Sequence, residues 1–72
     1  MTKEQFLVKM QEEVLDTDQE ITMESTLEEL DEWDSLAFVS YIAMANTAAG
    51  KKVDRTAVQA AVTVGDLYAL LQ

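Results

Sequence analysis

The middle of this chain is a run of acidic residues that no basic residue interrupts. Eleven of its fourteen Asp and Glu residues lie between positions 12 and 34, a segment without Lys or Arg. From residue 16 this segment lacks a sustained helical or strand period, and its apolar residues stand alone: Ile21, Met23, Leu27 and Leu30. We therefore predict a long loop over residues 16–34, pinned to the core by these side chains, with a capping box at residues 25–28 able to open one helical turn. Such a block is either a solvated loop or a recognition surface.

Helical periodicity flanks the acidic segment on both sides. A capping box at residues 2–5 precedes apolar residues spaced along one helix face, which predicts an amphipathic helix over residues 3–15. An N-cap pair at residues 34–35 opens a second helix of about residues 35–49, and Gly50 follows as its natural end.

Two more helices are predicted in the last third of the chain. Asp54 opens a short helix, and Thr63 caps a last helix that carries Leu67, Leu70 and Leu71. The inward residues of the short helix are Ala57, Val58 and Ala61. The predicted fold class is all-α, with three main helices and one short one in a single domain of residues 1–72.

Composition excludes several kinds of chemistry. Without Cys or His the chain lacks thiolates and the commonest metal ligand and general base, and 72 residues leave little volume for a deep catalytic cleft. A net charge of −9 repels nucleic acid. Asp16, Asp18 and Glu20 resemble the start of a calcium loop, but Ile21 and Leu27 stand where that loop needs Gly and a bidentate Glu. We expect no enzyme, no metal site and no nucleic-acid partner.

Nothing in the sequence predicts a secretory signal or a membrane-spanning segment. The first residues lack the basic and apolar runs of a secretory signal, and the longest uncharged stretch, residues 35–50, is too short and too polar to span a bilayer. These features predict a cytoplasmic protein without membrane contact, and we expect a monomer.

The most informative motif is Asp34-Ser35-Leu36, where the acidic loop meets the second helix. A serine hydroxyl at an exposed helix N-terminus lies where backbone N–H groups can receive a phosphate. Plain N-capping is the alternative interpretation of this serine, but Asp34 already supplies a better cap.

Together with Thr63-Val64-Gly65-Asp66-Leu67, the length and the acidity, this motif resembles the acyl carrier proteins over nearly the whole chain. The resemblance implies an acyl-carrier-like bundle. It implies that Ser35 carries a 4′-phosphopantetheine arm, attached by a phosphopantetheinyl transferase, whose terminal thiol holds acyl groups as thioesters. Asp34 and Leu36 would be recognition residues for the transferase and for enzymes that use the loaded carrier.

Two features depart from the carriers of fatty-acid synthesis. Glu32-Trp33 replaces the Gly or Ala that is frequent before the motif, and this pair looks more like carriers of specialised acyl pathways. Trp33 either packs into the core and fixes the loop there or is an exposed contact residue. The second helix has no acidic residue, so we expect the acidic loop to attract partner enzymes electrostatically. The helix should contribute apolar contacts through Leu36 and Ala43. The predicted partner-recognition residues are Glu28, Glu29, Asp31, Glu32, Trp33 and Ala43.

The sequence therefore predicts a stand-alone carrier that presents acyl intermediates to separate acyl-loading and acyl-processing enzymes with basic docking patches. A peptidyl or aryl carrier of the same fold is one alternative. An acidic helical adaptor that binds a basic partner and is never modified is another. Alanines on the second and third helices either allow close helix packing or leave space for an acyl chain.

Overall fold

The computed structural model describes residues 1–72 and contains four α-helices and no β-strand. This confirms the all-α prediction. The last helix is shorter than expected, because the chain leaves it in a tight turn in which the Leu71 amide bonds the Tyr68 carbonyl. No helix combines the length and the apolar content needed to cross a bilayer. The helices are α1 (Lys3–Lys9), α2 (Ser35–Ala48), α3 (Arg55–Ala60) and α4 (Val64–Ala69).

The first helix differs from the regular α-helix predicted over residues 3–15. After α1 the chain continues as a π-helical segment, Met10–Val14, and the Leu15 amide donates to the Met10 carbonyl five residues back at 2.8 Å. Residues five apart share a face in this wider helix, so Met10 and Leu15 are both buried. Asp16, with a φ of 49°, ends the segment in the left-handed conformation that Asp tolerates.

Each α-helix begins at a polar cap that the sequence predicted. The hydroxyl of Thr2 accepts from the Gln5 amide at 3.1 Å, and that of Thr63 accepts from the Asp66 amide at the same distance. The Asp66 carboxylate in turn accepts from the amides of Val62 and Thr63, and these bonds hold its pKa below the usual range. Local side-chain chemistry therefore fixes where these helices start.

The core lies where the first helix, α2 and α4 meet. The rings of Phe6 and Tyr68 are 5.3 Å apart, and Met10, Tyr41 and Leu67 are fully buried. Burying each such side chain stabilises the fold by roughly 1.5–3 kcal/mol. The predicted loop anchors Ile21, Leu27 and Leu30 are buried as well, and no polar or charged residue is.

Backbone hydrogen bonds join the long loop to the start of α4. The amides of Val64 and Gly65 donate to the carbonyls of Ser25 at 2.9 Å and Met23 at 2.8 Å. The first amides of a helix have no partner within it, so these loop carbonyls complete the N-terminus of α4. The Leu27 amide donates back to Val62, and a single helical turn, Leu27–Glu29, follows one residue later than predicted.

Replacing Gly65 with alanine should loosen this junction. A Cβ there would lie 3.0 Å from the Met23 carbonyl oxygen, which can move away only by stretching its 2.8 Å bond to the Gly65 amide. The clash, roughly 1–3 kcal/mol, outweighs the gain of about 1 kcal/mol from removing a helical glycine. Urea denaturation should show a net loss of roughly 1 kcal/mol, with faster amide exchange at Leu27 and Val64.

Gly50→Ala is the matched control for Gly65→Ala. Gly50 has a φ of 63° and no heavy atom within 4 Å of a Cβ built on it, so alanine there adds backbone strain alone. This variant should lose stability without faster exchange in the loop. Wild-type stability and exchange in Gly65→Ala would show that the junction is not tight.

Candidate functional site

Ser35 is the first residue of α2 and is exposed. The Asp34 carboxylate accepts the Ala37 amide at 3.0 Å, and the Asp34 carbonyl accepts the Phe38 amide at 2.9 Å. Asp34 therefore caps the helix, as the sequence predicted, and the Ser35 hydroxyl takes part in no hydrogen bond. A free hydroxyl at the positive end of a helix of 14 residues can carry a phosphate ester.

An open groove of about 360 Å³ lies against Ser35, and we call it the serine groove. The loop end and α2 form one wall, and α3 contributes Arg55 and Gln59 to the same groove. Its lining residues are Trp33, Asp34, Ser35, Phe38, Val39, Arg55 and Gln59.

A second open groove, the acidic groove, lies between the end of the first helix and the start of α2. It brings Glu12, Glu13 and Asp16 together with Glu32 and Asp34 of the loop end. One carboxylate oxygen of Glu32 is shielded from solvent and has no hydrogen-bond partner. Leu36, 74% exposed, stands in the wall of this groove with Ala37 and Ser40. Ser35 therefore lines a groove that Arg55 also lines. Its motif neighbour Leu36 lines the acidic groove.

The predicted recognition residues do not form one surface. Glu28, Glu29 and Asp31 are exposed, but they line neither groove beside the serine motif. Glu32 is half-buried in the acidic groove, and Ala43 lies two turns further along α2.

Trp33 is both packed against the core and partly exposed, so each of its two predicted roles applies in part. Its ring is half-buried, with centroids 6.3 Å from both Phe38 and Tyr41, so it anchors the end of the loop to the core. Its remaining surface lines the serine groove. The same side chain therefore holds the loop in place and borders Ser35.

The exposed strip of α2 from Leu36 through Val39 to Ala43 is apolar. Leu36 and Val39 are 74% and 53% exposed, and Ala43 is exposed one turn beyond Val39. A surface helix that is apolar on its outer as well as its inner face offers an uncovered strip for contact. The alanines of α2 and α3 do not produce close packing of the two helices along their whole length, since Ala43, Ala48 and Ala60 are exposed.

Sequence reasoning missed the residues that reach this site from other elements. In the sequence Arg55 only follows the Asp54 cap of the short helix, and Glu12 and Glu13 only belong to the acidic run, so neither position indicates a place near Ser35. The serine groove and the acidic groove exist because α3 and the first helix pack beside α2, and no local pattern encodes that placement.

The geometry fits a phosphodiester-linked arm on Ser35. The hydroxyl is unpartnered, the helix cap does not depend on it, and the serine groove offers open space that Arg55 also lines. Comparison with known protein families, curated proteins and solved structures gives no match to this chain. The functional argument therefore depends on the site itself.

Proposed function

We propose that this protein is an acyl carrier of the acyl-carrier-protein type, in which Ser35 bears a 4′-phosphopantetheine arm. The observation that carries the proposal is the exposed, unpartnered Ser35 hydroxyl at the N-terminus of α2, beside a helix cap supplied by Asp34. The arrangement of four helices around a long pinned loop supports it. The protein is proposed to hold acyl groups and not to transform them.

In this proposal the Ser35 Oγ forms the new bond to phosphorus. As the P–O–P bond of coenzyme A breaks, adenosine 3′,5′-bisphosphate leaves the phosphate next to pantetheine, and the serine proton passes to a base on the transferase. When bound, the arm supplies a terminal thiol that holds acyl groups as thioesters. The N-terminus of α2 and the Arg55 guanidinium stabilise the phosphodiester charge, and Asp34 keeps the helix start rigid during the exchange.

Intact-mass measurement tests the proposal. The protein is incubated with coenzyme A and a broad-specificity phosphopantetheinyl transferase, and one phosphopantetheine should be added to nearly every molecule. An unchanged mass, with a known carrier modified in the same tube, would favour an unmodified adaptor. Loading of the arm by an amino-acid or aryl-acid adenylating enzyme would separate a peptidyl or aryl carrier from an acyl carrier.

Partner docking should separate into an electrostatic part and an apolar part. Exposed acids at the rim of an interface mainly set the association rate and its salt dependence, because they act at a distance. Neutralising the exposed Glu28 and Glu29 together with the half-buried Glu32 as Gln should slow association with the transferase and flatten its dependence on salt. Surface plasmon resonance across a salt series measures both quantities.

Leu36→Ala should act on dissociation instead. A desolvated apolar side chain holds the complex together once formed, so its truncation should speed dissociation about tenfold, equal to about 1.4 kcal/mol, with an unchanged salt slope. Val62→Ala, at a residue 62% exposed outside α2, is the control and should change neither rate. An unaltered salt slope in the triple Gln variant would mean that the loop acids are only solvated.

A further inference from the structure

The segment Thr63-Val64-Gly65-Asp66-Leu67 takes no part in the proposed attachment of the arm, and none of its residues lines either groove beside the serine motif. Its one charged residue is Asp66, which is exposed. A single carboxylate oxygen of Asp66 accepts from the Val62 amide at 3.0 Å and from the Thr63 amide at 3.1 Å. Asp66 therefore fixes the stretch of backbone that leads into α4.

The acidic loop is attached to the same stretch of backbone. Thr26 of the loop and Thr63 form an isolated antiparallel bridge, and one of its hydrogen bonds runs from the Leu27 amide to the Val62 carbonyl at 2.8 Å. Asp66 binds the amides of Val62 and Thr63, so its carboxylate holds the α4 side of the bridge in place.

The loop is tightly turned between this bridge and Ser35. A single helical turn, Leu27–Glu29, comes first, and the Trp33 amide then donates to the carbonyl of the buried Leu30 at 3.0 Å. The Trp33 ring packs on two aromatic rings of α2 and lines the serine groove. Asp34, the next residue, caps α2. A shift of the bridge is therefore passed on to the residues that flank Ser35.

We infer that Asp66 is a positioning residue for phosphopantetheine transfer, which holds the loop so that Trp33 and Asp34 present Ser35 to the transferase. The inference rests on the proposed function. Without the Asp66 bonds the bridge opens in part of the molecules, and only molecules with a closed bridge present the serine correctly. A protein that is competent in only a fraction of its molecules binds more weakly in proportion to that fraction, so the KM for the carrier should rise while kcat stays unchanged.

Fluorescence of the unmodified protein gives the first test, with Asp66→Ala, Asp66→Asn and Gln5→Ala. Gln5 is the matched control, because it accepts the Thr2 amide at 3.0 Å in the same kind of capping box at the start of α1. Trp33 is the only tryptophan, so acrylamide quenching well below the melting midpoint reports the end of the loop. Quenching should rise in Asp66→Ala and stay at the wild-type level in Gln5→Ala. Asparagine keeps an oxygen acceptor at the same net charge as alanine, so Asp66→Asn should restore wild-type quenching.

The transferase reaction gives the second test. In Asp66→Ala the KM for the carrier should rise about threefold, as expected when the bridge is closed in about one molecule in three, with kcat unchanged. Amide exchange at Leu27 should be faster. Wild-type KM and quenching in Asp66→Ala, whatever its melting temperature, equal changes in Gln5→Ala, or no rescue by asparagine would each overturn the inference. Failure of the proposed function is seen separately, because the wild-type mass would then show no arm at all.

Discussion

Ser35→Ala should abolish the transfer of phosphopantetheine and leave the stability of the fold nearly unchanged. Asp34 supplies the cap of α2, the Ser35 hydroxyl has no partner to lose, and alanine has a high intrinsic helix propensity. The free energy of unfolding should therefore stay within about 0.5 kcal/mol of the wild type. Intact mass after incubation with the transferase, together with a thermal melt, measures both halves of this prediction.

Two other variants make the Ser35 result specific. Ser40→Ala removes a half-buried hydroxyl one turn further along α2 and should leave modification complete. Asp34→Ala removes the cap and should cost about 0.5–2 kcal/mol of stability. Modification that persists in Ser35→Ala would move the attachment point elsewhere and end the proposal for this serine.

The helix starts could be predicted from the sequence because capping is local. Thr2, Asp34, Asp54 and Thr63 each accept an amide two or three residues ahead, as their positions before apolar periodic runs indicated. The loop anchors could be predicted for a similar reason, since an isolated apolar residue in an acidic segment gains most by burial.

The parts that could not be predicted depend on contacts between distant residues. The π-helical segment forms because it buries Leu15 beside Met10. The loop is held by hydrogen bonds that the first amides of α4 donate to the Ser25 and Met23 carbonyls. Neither has a signature within a short window. The same holds for the candidate site. A local motif identifies Asp34, Ser35 and Leu36, whereas Arg55 lines the serine groove only because of how α3 packs.

Tyr41→Phe should be among the most destabilising conservative changes in the core. The Tyr41 ring is fully buried, and its hydroxyl donates to the Leu67 carbonyl at 2.6 Å, which joins α2 to α4. That carbonyl has no amide donor, because the Leu71 amide bonds Tyr68 instead. Phenylalanine would leave it unsatisfied in the interior at a cost of about 1–3 kcal/mol, and each kcal/mol lowers the melting midpoint of a domain this size by about 4–8 °C.

Tyr68→Phe is the matched control for the Tyr41 substitution. The Tyr68 hydroxyl donates to the Met1 carbonyl at 3.2 Å near the exposed chain start, where water can replace it. Its loss should therefore cost less than about 0.5 kcal/mol. Equal losses in the two variants would show that the Tyr41 hydroxyl does not support the end of α4.

The stability that Tyr41 gives should disappear in alkali. Burial raises the pKa of Tyr41 to about 12, whereas an unfolded tyrosine ionises near 10. Between these values the unfolded chain releases the proton and the folded chain keeps it, so the free energy of unfolding falls as pH rises. The slope approaches about 1.4 kcal/mol per pH unit, and the contribution is complete only below pH ~10. Tyr41→Phe lacks this ionisation, so urea denaturation should show the gap between wild type and variant narrowing above pH ~10. A gap that stays constant as pH rises would contradict the buried, hydrogen-bonded Tyr41.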